Sequence, residues 1–212
     1  MGADDLIKAL AADAGSKEPR VGQALVPLLG AGFALSAILF VLGLHVRADI
    51  AKALLTWRFD LKLALAALLA AAAGWLALRM ARPAARTRVP SLAVLAGAPA
   101  LVGSVVREAI AVPPGLWMPR AMGSNALWCL GSIPVLALAP LAAILLALRK
   151  GAPEQPLFCG AAAGLFAGAL GAALYATHCW DDSPLFVAIW YPLGIAVSVL
   201  IGALAGSRLL RW

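Results

Sequence analysis

Charge is scarce in this sequence. Only 13% of its 212 residues are Asp, Glu, Lys or Arg, while 63% are hydrophobic and the mean hydropathy is +0.93. A water-soluble fold cannot hide that much apolar surface. Histidine is rarer still, with two in the chain, His45 and His178. No Ser-His-acid set can be assembled from them, and no Gly-rich phosphate loop followed by Lys is present. Both absences point away from an enzyme. The three cysteines form no CxxC pair, so the usual zinc spacing is missing. No ionisable residue falls in the middle of an apolar stretch, which argues against a proton-coupled transporter. The first 24 residues hold four acidic and three basic side chains rather than a basic run leading into a short apolar core. That is not a cleavable secretion signal, and the first apolar stretch is expected to stay as an anchor. Tandem repeats and low-complexity tails are also missing.

What the chain does have is six apolar stretches: Leu25–Val46, Leu61–Met80, Val89–Val106, Ala126–Leu148, Leu157–Thr177 and Leu185–Gly206. Crossing about 30 Å of hydrocarbon takes roughly 20 mainly apolar residues. Helices are the expected state, because lipid offers no partners for an open sheet edge. The prediction is an all-α protein: a polytopic bundle of six transmembrane helices (residues 25–212) behind a short amino-terminal segment (residues 1–24). The third stretch is the shortest and contains Pro99. Pro134 and Pro140 are expected to bend the fourth. Gly160, Gly164, Gly168 and Gly171 form a small-residue stripe in the fifth, suited to close packing against the sixth. The sixth starts at Ser183-Pro184, a helix-start signal.

The net charge of +7 is less useful than its distribution. With the amino terminus in the cytoplasm, inner segments carry eleven basic residues and outer segments carry six. The positive-inside rule therefore predicts both termini in the cytoplasm. Trp57, Trp117, Trp128 and Trp180 then form an outer aromatic belt, with Trp75 and Trp212 at the inner boundary. Arg107 and Glu108 are read as a solvated pair at an outer end.

In the first segment, Leu6, Ile7, Leu10 and Ala14 recur at helical spacing, and Asp4 and Asp5 sit where a helix start favours negative charge. Gly15, Ser16 and Pro19 are stop signals. The spacing predicts a short amphipathic helix, either a frayed tail or a helix that folds against a partner's groove. The densest polar cluster is His178-Cys179-Trp180-Asp181-Asp182-Ser183, between the fifth and sixth stretches, and Cys129 starts the fourth on the same side. Cys129, His178, Cys179, Asp181 and Asp182 form a candidate ligand set for a soft or borderline metal. Two thiols on an oxidising face can also form a disulfide, and the plain alternative is two cysteines without a role beside a loop that caps a helix. Cys159 lies at the opposite end and reads as a small buried apolar residue.

Several runs carry a resemblance. Cys129-Leu130-Gly131-Ser132-Ile133-Pro134, then Pro140-Leu141, then Ala147 to Pro153, resemble the NrsF family. So do Tyr175 to Val187 with Trp190-Tyr191, the closing Leu210-Arg211-Trp212, and the opening Leu6-Ile7 to Leu10 with Asp13. The resemblance covers the whole chain. It implies a six-span anti-sigma factor of a bacterial inner membrane, not an enzyme. Its partner would be a sigma factor of the extracytoplasmic-function class, alongside the lipid bilayer, with no direct nucleic-acid contact and no small-molecule substrate. Asp4, Asp5, Leu6, Ile7, Leu10 and Asp13 would meet that partner. Cys129 and Cys179 match the family cysteines linked with sensing heavy metal or oxidative stress. No cofactor is required, and a soft or borderline metal ion enters only as a signal. The competing reading is a small transporter or channel, which needs a continuous polar path through the bundle. A third is a purely structural membrane subunit.

Overall fold

A computed structural model describes residues 2, 4, 5 and 21–211. Among these residues there is no strand, and six helical segments are long and apolar enough to cross a membrane. The helices are α1 (Val21–Gly43), α2 (Ile50–Ala53), α3 (Trp57–Met80), α4 (Arg88–Val94), α5 (Ala98–Ala111), α6 (Trp117–Met122), α7 (Ala126–Leu148), α8 (Pro156–Ala176) and α9 (Pro184–Leu209). A single 3-10 turn, Pro114–Leu116, precedes α6. Spans one, two, four, five and six are α1, α3, α7, α8 and α9. Their limits fall within a few residues of the apolar stretches.

The third span differs. It is two helices, α4 and α5, joined through residues 95–97, and it continues to Ala111. At the joint the bonds tighten to i−3: the amides of Ala96 and Ala98 donate to the carbonyls of Ala93 and Leu95. Pro99 has no amide to donate, and Gly97 lowers the cost of leaving the helix. The longer span takes Glu108 out of the loop and into a helix, where it is 1% exposed. Its expected solvated pairing with Arg107 is not formed. Arg107 lies instead over the Trp57 ring, 4.4 Å from its centroid.

The middle of the bundle is α8, which packs against α9, α3 and α7. Its small-residue stripe makes that possible. A Cβ on Gly160 would run into the backbone of Gly202 and Gly206, and one on Gly164 into that of Ser198. The two helices therefore meet backbone to backbone. On the other flank, α1 lies on α7, and the proline in that contact has a visible consequence. Pro140 cannot donate to the carbonyl of Leu136, one turn earlier, and the hydroxyl of Ser36 donates to that carbonyl instead at 2.6 Å.

At one end of the bundle, Trp57, Trp117, Trp128 and Trp180 are all part-exposed, as a belt requires. At the other end the loops after α3 and α7 are tied together. The amide of Ala84 donates to the Glu154 carboxylate at 2.7 Å, and that of Ala152 to the Ala81 carbonyl at 3.1 Å.

Candidate functional site

The loop from Thr177 to Ser183 joins α8 to α9 and carries no regular structure over its second half. It is held by charged side chains from three other elements and by amides of the Ser124–Asn125 turn. His45, just beyond α1, has φ of +61°, and this reversal turns the chain so that the amide of Arg47 donates to the Thr177 carbonyl at 3.0 Å. The His45 carbonyl accepts from Nδ1 of His178 at 2.9 Å.

Arg47 is 7% exposed and uses most of its donors. It grips Asp49 through two bonds of 2.6 and 2.8 Å. Its Nη1 reaches the Cys179 carbonyl at 3.1 Å and Asp182 at 2.8 Å. The Trp180 ring lies over the guanidinium, 5.0 Å from centroid to carbon. These hydrogen bonds, first that to Asp49, raise the Arg47 pKa and hold Asp49 below the usual carboxylate range. Lys62, near the start of α3 and 1% exposed, comes to the same two acceptors. Its Nζ is 3.1 Å from the Cys179 carbonyl and 2.5 Å from Asp182. The peptide carbonyl of Cys179 is thus bonded to two cations, one from the α1–α2 loop and one from α3.

Asp181 and Glu108 complete the frame. Asp181 accepts the amides of Ser124 and Asn125 at 3.0 and 2.9 Å, plus the Asn125 side-chain amide at 3.0 Å. Gly123 presents those amides with φ of +56°, and a Cβ there would strike the Phe186 ring and the Asp181 carboxyl carbon. Glu108 accepts from Ser183 at 2.7 Å, from Arg120 at 2.8 Å and from Arg58 at 3.3 Å. Ser183 does precede α9, but its hydroxyl goes to Glu108 rather than capping the helix.

Behind the polar frame, Cys129 and Cys179 are both fully buried and belong to one apolar cluster with Tyr175, Phe186 and Tyr191. Both are free thiols. Cys129 comes from α7 and Cys179 from the α8–α9 loop, so the cluster joins two spans. Burial pushes the Cys179 thiol above its ordinary pKa, against the pull of the Lys62 charge. Cys159, also buried, lies in a second cluster at the opposite end.

The side chains of the other predicted residues are engaged away from the thiols' sulfur atoms, although Cys179 Sγ lies 3.9 Å from the Asp181 carbonyl. His178 is bound to a backbone carbonyl, Asp181 to the Ser124–Asn125 turn, and Asp182 to Arg47 and Lys62. Among the described residues no three His, Cys, Asp or Glu side chains are gathered as a metal site. Asp4 and Asp5 are exposed, and the Gly2 amide donates to Asp5 at 3.2 Å. Leu6, Ile7, Leu10 and Asp13 lie outside the described residues.

Sequence reasoning missed Arg47, Lys62, Glu108 and Asn125 as site residues. The signal was present for two of them. Lys62 and Glu108 are ionisable residues inside helices long and apolar enough to cross a bilayer, a costly placement that calls for a partner.

Comparison with known proteins gives a consistent result. Residues 10–212 match the family NrsF, described as "Negative regulator of sigma F". A protein of Caulobacter vibrioides (strain NA1000 / CB15N), named "Anti-sigma-F factor NrsF", is 41% identical over 218 aligned positions covering the whole of both chains. One from Azospira oryzae (strain ATCC BAA-33 / DSM 13638 / PS), named "Probable anti-sigma-F factor NrsF", is 35% identical over 216 positions, again covering both chains fully. No solved structure matches the chain.

Proposed function

The chain belongs to the NrsF family, and on that footing we propose that it is an anti-sigma factor. In this reading, residues 1–24 hold a sigma factor of the extracytoplasmic-function class at a bacterial inner membrane, with both chain ends in the cytoplasm. The observation that carries it is the full-length likeness to two relatives named as anti-sigma-F factors. It is a non-enzymatic role.

The proposed partner contact is the apolar face of Leu6, Ile7 and Leu10, with Asp4, Asp5 and Asp13 meeting basic residues of the sigma factor. Three buried aliphatic side chains supply about 1.5–3 kcal/mol each before ordering costs. Nanomolar binding takes about 12 kcal/mol, so a second contact is needed. The joined loops after α3 and α7 offer one. They carry Arg82, Arg86, Arg149 and Lys150 on a surface locked by Glu154 and Ala152.

Release is proposed to begin at Cys129 and Cys179. An oxidant that takes two electrons and two protons from the pair leaves a disulfide between α7 and the α8–α9 loop. A soft metal bridging two thiolates would draw the same elements together, with loss of the same protons. Oxidation is the better fit, since His178, Asp181 and Asp182 are already engaged. Either event shifts the peptide of Cys179, whose carbonyl is bonded to Arg47 and Lys62. Arg47 follows α1 directly, and α1 leads back to residues 1–24. The shift works as a switch only if the sigma-bound and free states differ in free energy at this contact.

The test is co-purification in detergent. Leu6→Asp with Leu10→Asp should abolish recovery of the sigma factor and turn on the genes it controls, because a carboxylate buried without a partner costs several kcal/mol. Undiminished recovery at normal membrane levels would move the interface to the loops.

A further inference from the structure

The third span leaves a gap in the bundle. Its first half, α4, packs on α3, and its second half, α5, packs on α9. Between them α3 and α9 barely touch. The space behind α5 is a cavity of about 300 Å³, floored by Leu165 of α8 and walled by Leu65, Leu69, Leu101, Ile195 and Ala196. From Val187 to Val199 it follows α9 for twelve residue steps, about 18 Å at 1.5 Å per residue. That length matches one leaflet of a hydrocarbon core about 30 Å thick. At the polar end Lys62, Leu65, Leu101 and Val187, which also line this cavity, join Arg58, Ser104 and Asp182 around a crevice of about 10 Å³.

Arg58 is the second observation. Its Nε is buried without a hydrogen-bond partner. Its one ion pair is with Glu108 at 3.3 Å, and that carboxylate is already taken by Arg120 and Ser183 at 2.8 and 2.7 Å. Arg107 stands on the same tryptophan, Trp57, that Arg58 stacks on. Two guanidiniums, those of Arg58 and Arg120, thus share one carboxylate, and a third, that of Arg107, shares the Trp57 ring with Arg58. Asp60, the nearest other acid on α3, is exposed and makes no ion pair among the described residues. Lys62 is already neutralised by Asp182. The unpartnered Nε of Arg58 therefore suits an anion, and a phosphodiester accepts an arginine fork through two oxygens.

We propose that this groove is a binding site for one membrane phospholipid, with an acyl chain behind α5 and its phosphate on Arg58. The apolar length supplies the tail slot and the under-used guanidinium the head contact. The site does not depend on the anti-sigma reading, on the orientation of the chain in the membrane or on the two cysteines.

Native mass spectrometry of the full chain in mild detergent tests it. Dioleoyl phosphatidylglycerol is titrated against dioleoylglycerol, which has the same tails and no phosphate. The wild-type chain should retain one phospholipid after surrounding lipids are stripped. Ala196→Trp fills the groove and should remove that retention for both ligands. Arg58→Gln should lower phospholipid affinity about tenfold, toward that of dioleoylglycerol, since it deletes a charge-assisted contact. Helix content should be unchanged in Arg58→Gln, because Arg120 and Ser183 still hold Glu108. A wild-type chain that keeps no lipid, or an Ala196→Trp chain that keeps as much as wild type, overturns the proposal. Equal loss of both ligands in Arg58→Gln would overturn the phosphate contact.

Discussion

Lys62 shows how a charge is held inside a helix long and apolar enough to cross a membrane. It sits one turn and a half into α3, and its ammonium is satisfied by the Asp182 carboxylate and the Cys179 carbonyl. Lys62→Met keeps the length of the side chain and deletes both bonds. Arg47 still neutralises Asp182, so the loss should be that of two charge-assisted hydrogen bonds rather than an orphaned ion, about 1–3 kcal/mol. A fall in the thermal midpoint in detergent checks it; an unchanged midpoint would mean that Arg47 alone holds the loop. The thiol behind this frame has its own pH dependence. Burial raises the Cys179 pKa, so the folded state holds the thiol proton more tightly than the unfolded chain. That stabilisation is complete below the unfolded thiol value of about 8.5 and is lost as pH rises through the folded one. Maleimide labelling of Cys179 at pH 8 should therefore be much slower in the native protein than after unfolding. Equal rates would show a thiol open to water.

At the scale of elements, the pattern of apolar stretches was enough to find every span, because lipid forces each one to satisfy its own backbone. The stripe from Gly160 to Gly171 announced the α8–α9 contact for a similar reason: only small residues let two backbones meet. Gly164→Leu should break that contact, since its Cβ would overlap the Ser198 carbonyl, and the folded yield in membranes should drop sharply. A normal yield would contradict the packing of these two helices. What the sequence did not reveal was pairing across distance. Nothing local to Ser36 points to the carbonyl freed by Pro140, one hundred residues away. The pair Arg107–Glu108 looked like a solvated end because hydropathy falls there. In the structure α5 runs on past it, and Ser183, Arg120 and Arg58 converge on the acid from three other segments. The cysteines were legible as a pair on one side of the membrane. The cations bonded to the Cys179 carbonyl were not, since they depend on how α1 and α3 meet the α8–α9 loop.

For the whole molecule, six spans would send both ends of the described chain to the same side, and the uneven spread of basic residues predicts the cytoplasmic one. A reporter active only in the cytoplasm, fused after Trp212, should work; activity of a periplasmic reporter at that position would reverse the orientation and place the thiol cluster inside the cell. On the proposed reading, Cys129 and Cys179 would face the stress and residues 1–24 would face the sigma factor. The two ends are linked through Arg47 and α1. Retention and response should then separate. Cys129→Ser and Cys179→Ser should each weaken induction by cadmium, chromate or peroxide while leaving sigma-factor recovery intact, because neither thiol supports the partner contact. Cys159→Ser should respond nearly as wild type, since Cys159 packs in the other cluster, against α3 at the far end. The measurement is transcription of the controlled genes after each exposure, compared across the three variants. Full induction in the Cys129/Cys179 double variant would remove the thiol mechanism and leave the family membership untouched, because membership rests on the length of the match and not on those two residues.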